Sequence, residues 1–118
     1  METNILVTIL YQRLDLLDYA ESLLEKIKMG GSDMETKKEL VHVVNRLRTL
    51  RERMESIIPN VEGEDGETLI SYYKNISNPR EIEILSNIKS LEIGDETFRS
   101  EVDCDIKRLL NLQEKLGR

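Results

Sequence analysis

The residue pattern predicts an all-α fold: a compact helical bundle built on a long antiparallel hairpin, residues about 4–28 and 33–58, with two or three further helices. Three observations carry this. Leu40, Val43, Leu47, Leu50, Met54 and Ile57 recur at alternating spacings of three and four, which puts six apolar side chains in one stripe of a helix. The stretch before it has a wider apolar face at the same period, and Gly30 and Gly31 separate the two. Apolar residues make up 39% and charged residues 34% of the 118, with no tryptophan, a balance that suits helices packed along stripes better than a β-sandwich. This length fits one domain, 1–118, able to bury roughly two-thirds of its unfolded surface.

In the first helix Leu6, Leu10, Leu17, Ala20, Leu24 and Ile27 share a face that contains one misfit, Arg13. Ile9, Leu16 and Leu23 form a second stripe beside it, and Val7 and Leu14 widen it on the other side. So wide a surface needs more than one neighbour. Met29, Gly30 and Gly31 stop the helix, and Ser32 with Glu35 reads as a capping box that starts the next. Pro59 pushes Ile58 out of helical geometry and ends it. Each arm is then about 25 residues, roughly 37 Å, and the short loop favours an antiparallel pair.

Residues about 59–67 carry two glycines and four acids without an apolar period, which predicts an exposed acidic loop. Thr68 to Ile76 reads as a short helix with Leu69, Tyr73 and Ile76 inward. Asn78 as N-cap, Pro79 at the first position and Glu81 at the third restart the chain, with Ile82, Leu85, Ile88 and Leu91 toward the core. Gly94 ends that segment. Asp95 or Thr97 caps a last helix whose inward residues are Phe98, Val102, Ile106, Leu109, Leu112 and Leu116.

The net charge of −6 divides unevenly: −2 over residues 1–32, +1 over 33–58 and −5 over 59–118. An acidic surface repels phosphate backbones at long range, which disfavours broad binding to nucleic acid or anionic membrane. No apolar run approaches the roughly 18 residues that would span a bilayer, so no membrane partner is expected. Cys104 stands alone, which excludes an internal disulfide and suits a reducing, cytoplasmic location.

Candidate chemistry is sparse. His42 has no second histidine with which to share a metal, and no nucleophile to activate. Glu101 and Asp105 lie one helical turn apart, with Asp103 and Cys104 between them, and read as a solvated acidic face. Aligning Gly66 with the turn glycine of a calcium loop leaves only Asp65 in register among the acids of 62–67. No metal, cofactor or catalytic residue is therefore expected. Phosphate loops, dinucleotide-binding glycines and nucleophile elbows are also missing, which argues against an enzyme.

The locally basic stretch is Arg46, Arg48, Arg51 and Arg53, whose guanidinium forks suit carboxylates or phosphates, with Glu52 and Glu55 spaced to pair with Arg48 and Arg51. Tyr72 and Tyr73 read as packing residues. These features lead to the expectation of a non-catalytic protein–protein interaction module, an adaptor, regulator, inhibitor or chaperone acting through helix surfaces. Its expected contacts are the apolar flank Ile9, Leu16 and Leu23 and the basic face Arg46, Arg48, Arg51 and Arg53. The partner is another protein, with a homodimer as one arrangement. The alternatives are a virus- or phage-encoded inhibitor of host nucleic-acid machinery, or a helical protein that binds nucleic acid through Arg46–Arg53.

Overall fold

The computed structural model describes residues 2–30 and 33–117, and the regular structure it describes is all helical. Helix α1 spans Glu2–Lys28, with Lys26 and Lys28 in its last turn, where positive charge complements the helix dipole. Gly30 follows at φ +94°, a conformation that a side chain would resist. Helix α2 spans Met34–Ile57, and its N-cap is Asp33, whose Oδ1 accepts a 2.7 Å bond from the Thr36 amide. That hydrogen bond also holds the Asp33 carboxyl below its ordinary range. The cap thus sits one residue later than the sequence predicts, and the expected cap, Ser32, and Gly31 lie outside the described residues. The stripe on α2 behaves as expected: Leu40, Val43, Leu47, Leu50 and Met54 are buried and Ile57 is half-buried.

Two expectations fail beyond Pro59, each for a local reason. The acidic segment 59–67 is not a loop: a 3₁₀ turn, Ile58–Asn60, leads into α3, Gly63–Tyr72. Glu64 and Asp65 fall in the first turn of α3, where carboxylates favour helix formation. Gly66 is buried against Val61, and a Cβ there would lie 2.2 Å from Val61 Cγ1. This close approach folds the 3₁₀ turn onto α3.

The second failure is the break at Asn78. The chain stays helical from Gly63 to Ser90, passing through a π turn, Tyr73–Ser77, into α4, Asn78–Ser90. Asn78 has helical angles, and its amide reaches back five residues to the Tyr73 carbonyl. The wide turn carries Tyr73, Ser77, Asn78 and Glu81 all inward and leaves Ile76 and Leu91 exposed. Past this turn Ile84, Leu85 and Ile88 face the core, while Ile82 is half-buried.

Helix α5, Glu96–Leu116, begins at Asp95, whose Oδ1 accepts from the Phe98 amide at 2.8 Å. Phe98, Val102 and Leu109 are buried, whereas Ile106, Leu112 and Leu116 are half-buried. α2 returns against α1, the α3–α4 path runs parallel to α1, and α5 returns beside α4. The result is an up-down-up-down arrangement of 46 × 23 × 19 Å. Its core is two apolar clusters. One contains Leu17, Ala20, Leu40, Val44, Leu47, Leu85, Ile88 and Val102; the other contains Leu6, Ile9, Leu10, Leu50, Met54 and Tyr73.

Candidate functional site

Between the two clusters lies a layer of buried charge that no single helix could build. Arg13 on α1, Arg51 on α2, Glu81 on α4 and Asp105 on α5 are each 3% exposed or less. Arg51 donates from Nη1 to Glu81 Oε2 at 2.8 Å and from Nη2 to Asp105 Oδ1 at 2.6 Å. Arg13 donates from Nε to Ser77 Oγ at 2.6 Å and from Nη2 to Asn78 Oδ1 at 2.7 Å. Its Nη2 also approaches Glu81 Oε1 at 2.5 Å, an ion pair outside hydrogen-bonding angles. Asn78 in turn donates to Gln113 Oε1, and Gln113 Nε2 donates to the Lys74 carbonyl. The wide π turn places Ser77 and Asn78 side by side under Arg13.

The layer is neutral over its four core members, the condition under which buried ions are tolerated. Burial pushes the Glu81 carboxyl above its ordinary range, against the downward pull of Arg13 and Arg51. The Arg13 guanidinium also stacks 4.9 Å from the centre of the Tyr73 ring, a cation–π contact. Burial drives the Tyr73 hydroxyl up to about 12. Tyr73 Oη, Arg13 Nη1 and Arg51 Nε have no hydrogen-bond partner among the described residues. At the bundle edge Arg48 extends the layer outward, donating to both Asp105 oxygens and to Glu101.

These contacts redistribute the residues singled out from the sequence. Glu101 and Asp105 are not a solvated pair: Asp105 is buried, and both take Arg48. Arg48 and Arg51 pair across helices with Asp105, Glu101 and Glu81, not with Glu52 and Glu55 one turn away on α2. The expected basic face is therefore split, with Arg51 inside, Arg48 engaged, and Arg46 and Arg53 exposed. The expected apolar flank is not free either. Ile9 and Leu23 are core residues, and half-buried Leu16 packs against both clusters. The second stripe of α1 is simply the side that meets α2.

Two grooves flank the outer side of α1. One, between α1 and α2, is lined by Gln12, Asp15, Leu16, Tyr19, Arg46 and Leu50, which brings together the predicted Leu16 and Arg46 in a setting of mixed polarity. The other, of about 340 Å³ between α1 and α3, is formed by Val7, Leu10, Tyr11, Leu14, Leu69 and Tyr72. Its wall is apolar and aromatic throughout, and Tyr11 is 68% exposed. The sequence signal for it was the widening pair Val7 and Leu14, which Tyr11 joins at spacings of four and three. The missing half was the position of α3, which the reading of residues 59–67 as a loop had obscured.

Among the described residues no cluster of three or more histidine, cysteine or acidic side chains is placed to hold a metal ion, and no helix is long and apolar enough to cross a membrane. No protein-family model, curated protein or solved structure matches the chain.

Proposed function

We propose that this chain is a non-catalytic protein–protein interaction module that accepts an amphipathic helix of a partner in the α1–α3 groove. The observation that carries the proposal is the groove itself: six apolar or aromatic side chains from two parallel helices line a concave surface open to solvent. Parallel ridges of this kind fit the one-sided apolar stripe of a third helix. Tyr11, exposed to solvent, and half-buried Tyr72 add rings of the type enriched at interface centres. The buried charges support the same reading. Arg51 donates to Glu81 and Asp105, and Arg13 donates to Ser77 and Asn78 beside Glu81, all inside the bundle and away from a partner's reach.

The test is site-directed cross-linking in an extract of the organism that makes the protein. A photo-reactive side chain at position 11 is expected to trap a discrete adduct that an excess of unlabelled chain competes away. The same group at Leu110, an exposed apolar site on α5, is expected to trap none. Equal adducts from both positions, or none from position 11, would reject the groove as the docking face.

A further inference from the structure

We infer that the groove between α1 and α2 is the interface of a symmetric dimer, in which Asp15 of each copy meets Arg46 of the other. Its lining comes from α1 and α2 alone, on the outer face of the hairpin. Asp15 and Arg46 stand exposed on opposite edges, and Leu16 and Leu50 form the apolar floor between them. Ile5, Gln12, Leu16 and Tyr19 recur at spacings of seven, four and three, so they form one strip of α1 beside α2. On that strip Ile5 is 41% and Tyr19 43% exposed, which extends the apolar surface along the groove.

The face is complementary to itself. Asp15 on α1 and Arg46 on α2 lie across one groove at one height of an antiparallel pair. A twofold axis running along the groove keeps that height and exchanges the edges, so it lays α1 of each copy on α2 of the other and sets each Asp15 beside an Arg46. A twofold at right angles to the groove through the same point would oppose Asp15 to Asp15 and Arg46 to Arg46, which like charges disfavour. Net charge points to the same face. The hairpin carries −2 over residues 1–32 and +1 over 33–58, hence −1 in all, whereas residues 59–118 carry −5. Two copies that meet through the hairpin keep their acidic halves apart, and a contact through α3–α5 would press them together. At roughly 1.5 Å per residue and about 10 Å between helix axes, the hairpin face measures about 40 Å by 20 Å. That is on the order of the 800 Å² per partner that a stable interface buries. The α1–α3 groove lies on the other flank of α1 and stays open in such a dimer, so this inference and the docking of a partner helix stand or fall separately.

Sedimentation equilibrium of the intact chain is expected to show a monomer–dimer equilibrium below millimolar concentration. Asp15→Arg and Arg46→Asp should each weaken the dimer about tenfold, because either puts two like-charged pairs at the contact. Mixed in equal amounts, the two variants should regain the wild-type affinity as a heterodimer, since every pair across that contact is again of opposite sign. The neutral variants Asp15→Asn and Arg46→Gln should weaken the dimer about threefold, and they carry the test if a reversal lowers the helix content seen by circular dichroism. Leu110→Asp, at an exposed site on α5, should leave dimerisation unchanged. A chain that stays monomeric up to millimolar concentration, a dimer indifferent to Asp15 and Arg46, or reversed chains that do not regain affinity on mixing would overturn the inference. So would a dimer that Tyr11→Asp dissociates, which would move the contact to the α1–α3 groove.

Discussion

At the middle of the bundle four charged side chains from four helices neutralise one another out of water, whereas at the start of α3 four carboxylates stand in solvent and form no ion pair among the described residues. Carboxylates stand in both regions, and the consequences are opposite. In the layer, strict partnering is compulsory, because an ion left alone in a low-dielectric interior is strongly unfavourable. At the α3 start water solvates each carboxylate, so the charges cost the fold little and remain available to a partner. Charge in this protein is thus bound to other residues of the fold where it is buried and left to water at the start of α3.

The sharpest way to break the comparison is to remove one member of the layer. Glu81→Leu leaves buried Arg13 without an anionic partner and Arg51 with Asp105 alone, and should lower stability by about 3–5 kcal/mol in urea denaturation. A loss no larger than that of a surface substitution would show that water reaches the layer. Replacing Arg13, Arg51, Glu81 and Asp105 together by apolar residues of similar volume should instead be neutral or stabilising by about 1–4 kcal/mol, since it removes the desolvation cost along with the attraction. If the layer also fixes which helices pair at which height, this variant keeps its helix content but shows poorly dispersed NMR spectra. Sharp spectra would assign register to the apolar residues alone.

Gly66→Ala tests the packing of the 3₁₀ turn on α3, because the added Cβ meets Val61 Cγ1 at 2.2 Å. It should cost about 1–3 kcal/mol by overpacking and displace the α3 wall of the groove. Tyr73→Phe should be stabilising by about 1 kcal/mol, since it removes a buried hydroxyl that has no partner among the described residues. The same variant has a pH signature. The folded-state value of Tyr73 is raised from 10.0 to about 12, so its contribution is fully present below pH 10 and is lost as pH rises through about 12. Tyr73→Phe should flatten that alkaline fall, and a loss of stability at neutral pH would show that the hydroxyl is satisfied. Smallest of all, neutralising Glu62, Glu64, Asp65 and Glu67 should lower the urea midpoint only slightly, since first-turn carboxylates are worth about 0.3–1 kcal/mol each and relief of their mutual repulsion offsets part of that. A large drop in the midpoint would move these residues into the structural class.

Much of the fold was legible because helical periodicity is local. The α2 stripe, the glycine after α1, the Asp95 cap and the inward residues Phe98, Val102 and Leu109 each follow from spacings within a few residues. The misfit Arg13 was visible as a polar residue on an apolar face, but its hydrogen-bond partners lie at least 64 positions away, beyond any local pattern. The groove was half legible: Val7 and Leu14 announced spare apolar width on α1 without saying what stood opposite. Reading 59–67 by its glycines hid α3, since Gly66 answers to contact with Val61 and not to a turn.

By itself, then, the sequence determined that the chain is helical, where its long helices run and which stripes they bury, because those properties are set by neighbours within two turns. Only the tertiary structure decided that Arg13, Arg51, Glu81 and Asp105 are interior ions and that Ile9 and Leu23 are core. It also decided that Val7, Tyr11 and Leu14 remain open. The physical reason is that burial is a property of packed helices: the same arginine or leucine is stable in solvent or in the core according to what the other helices place against it.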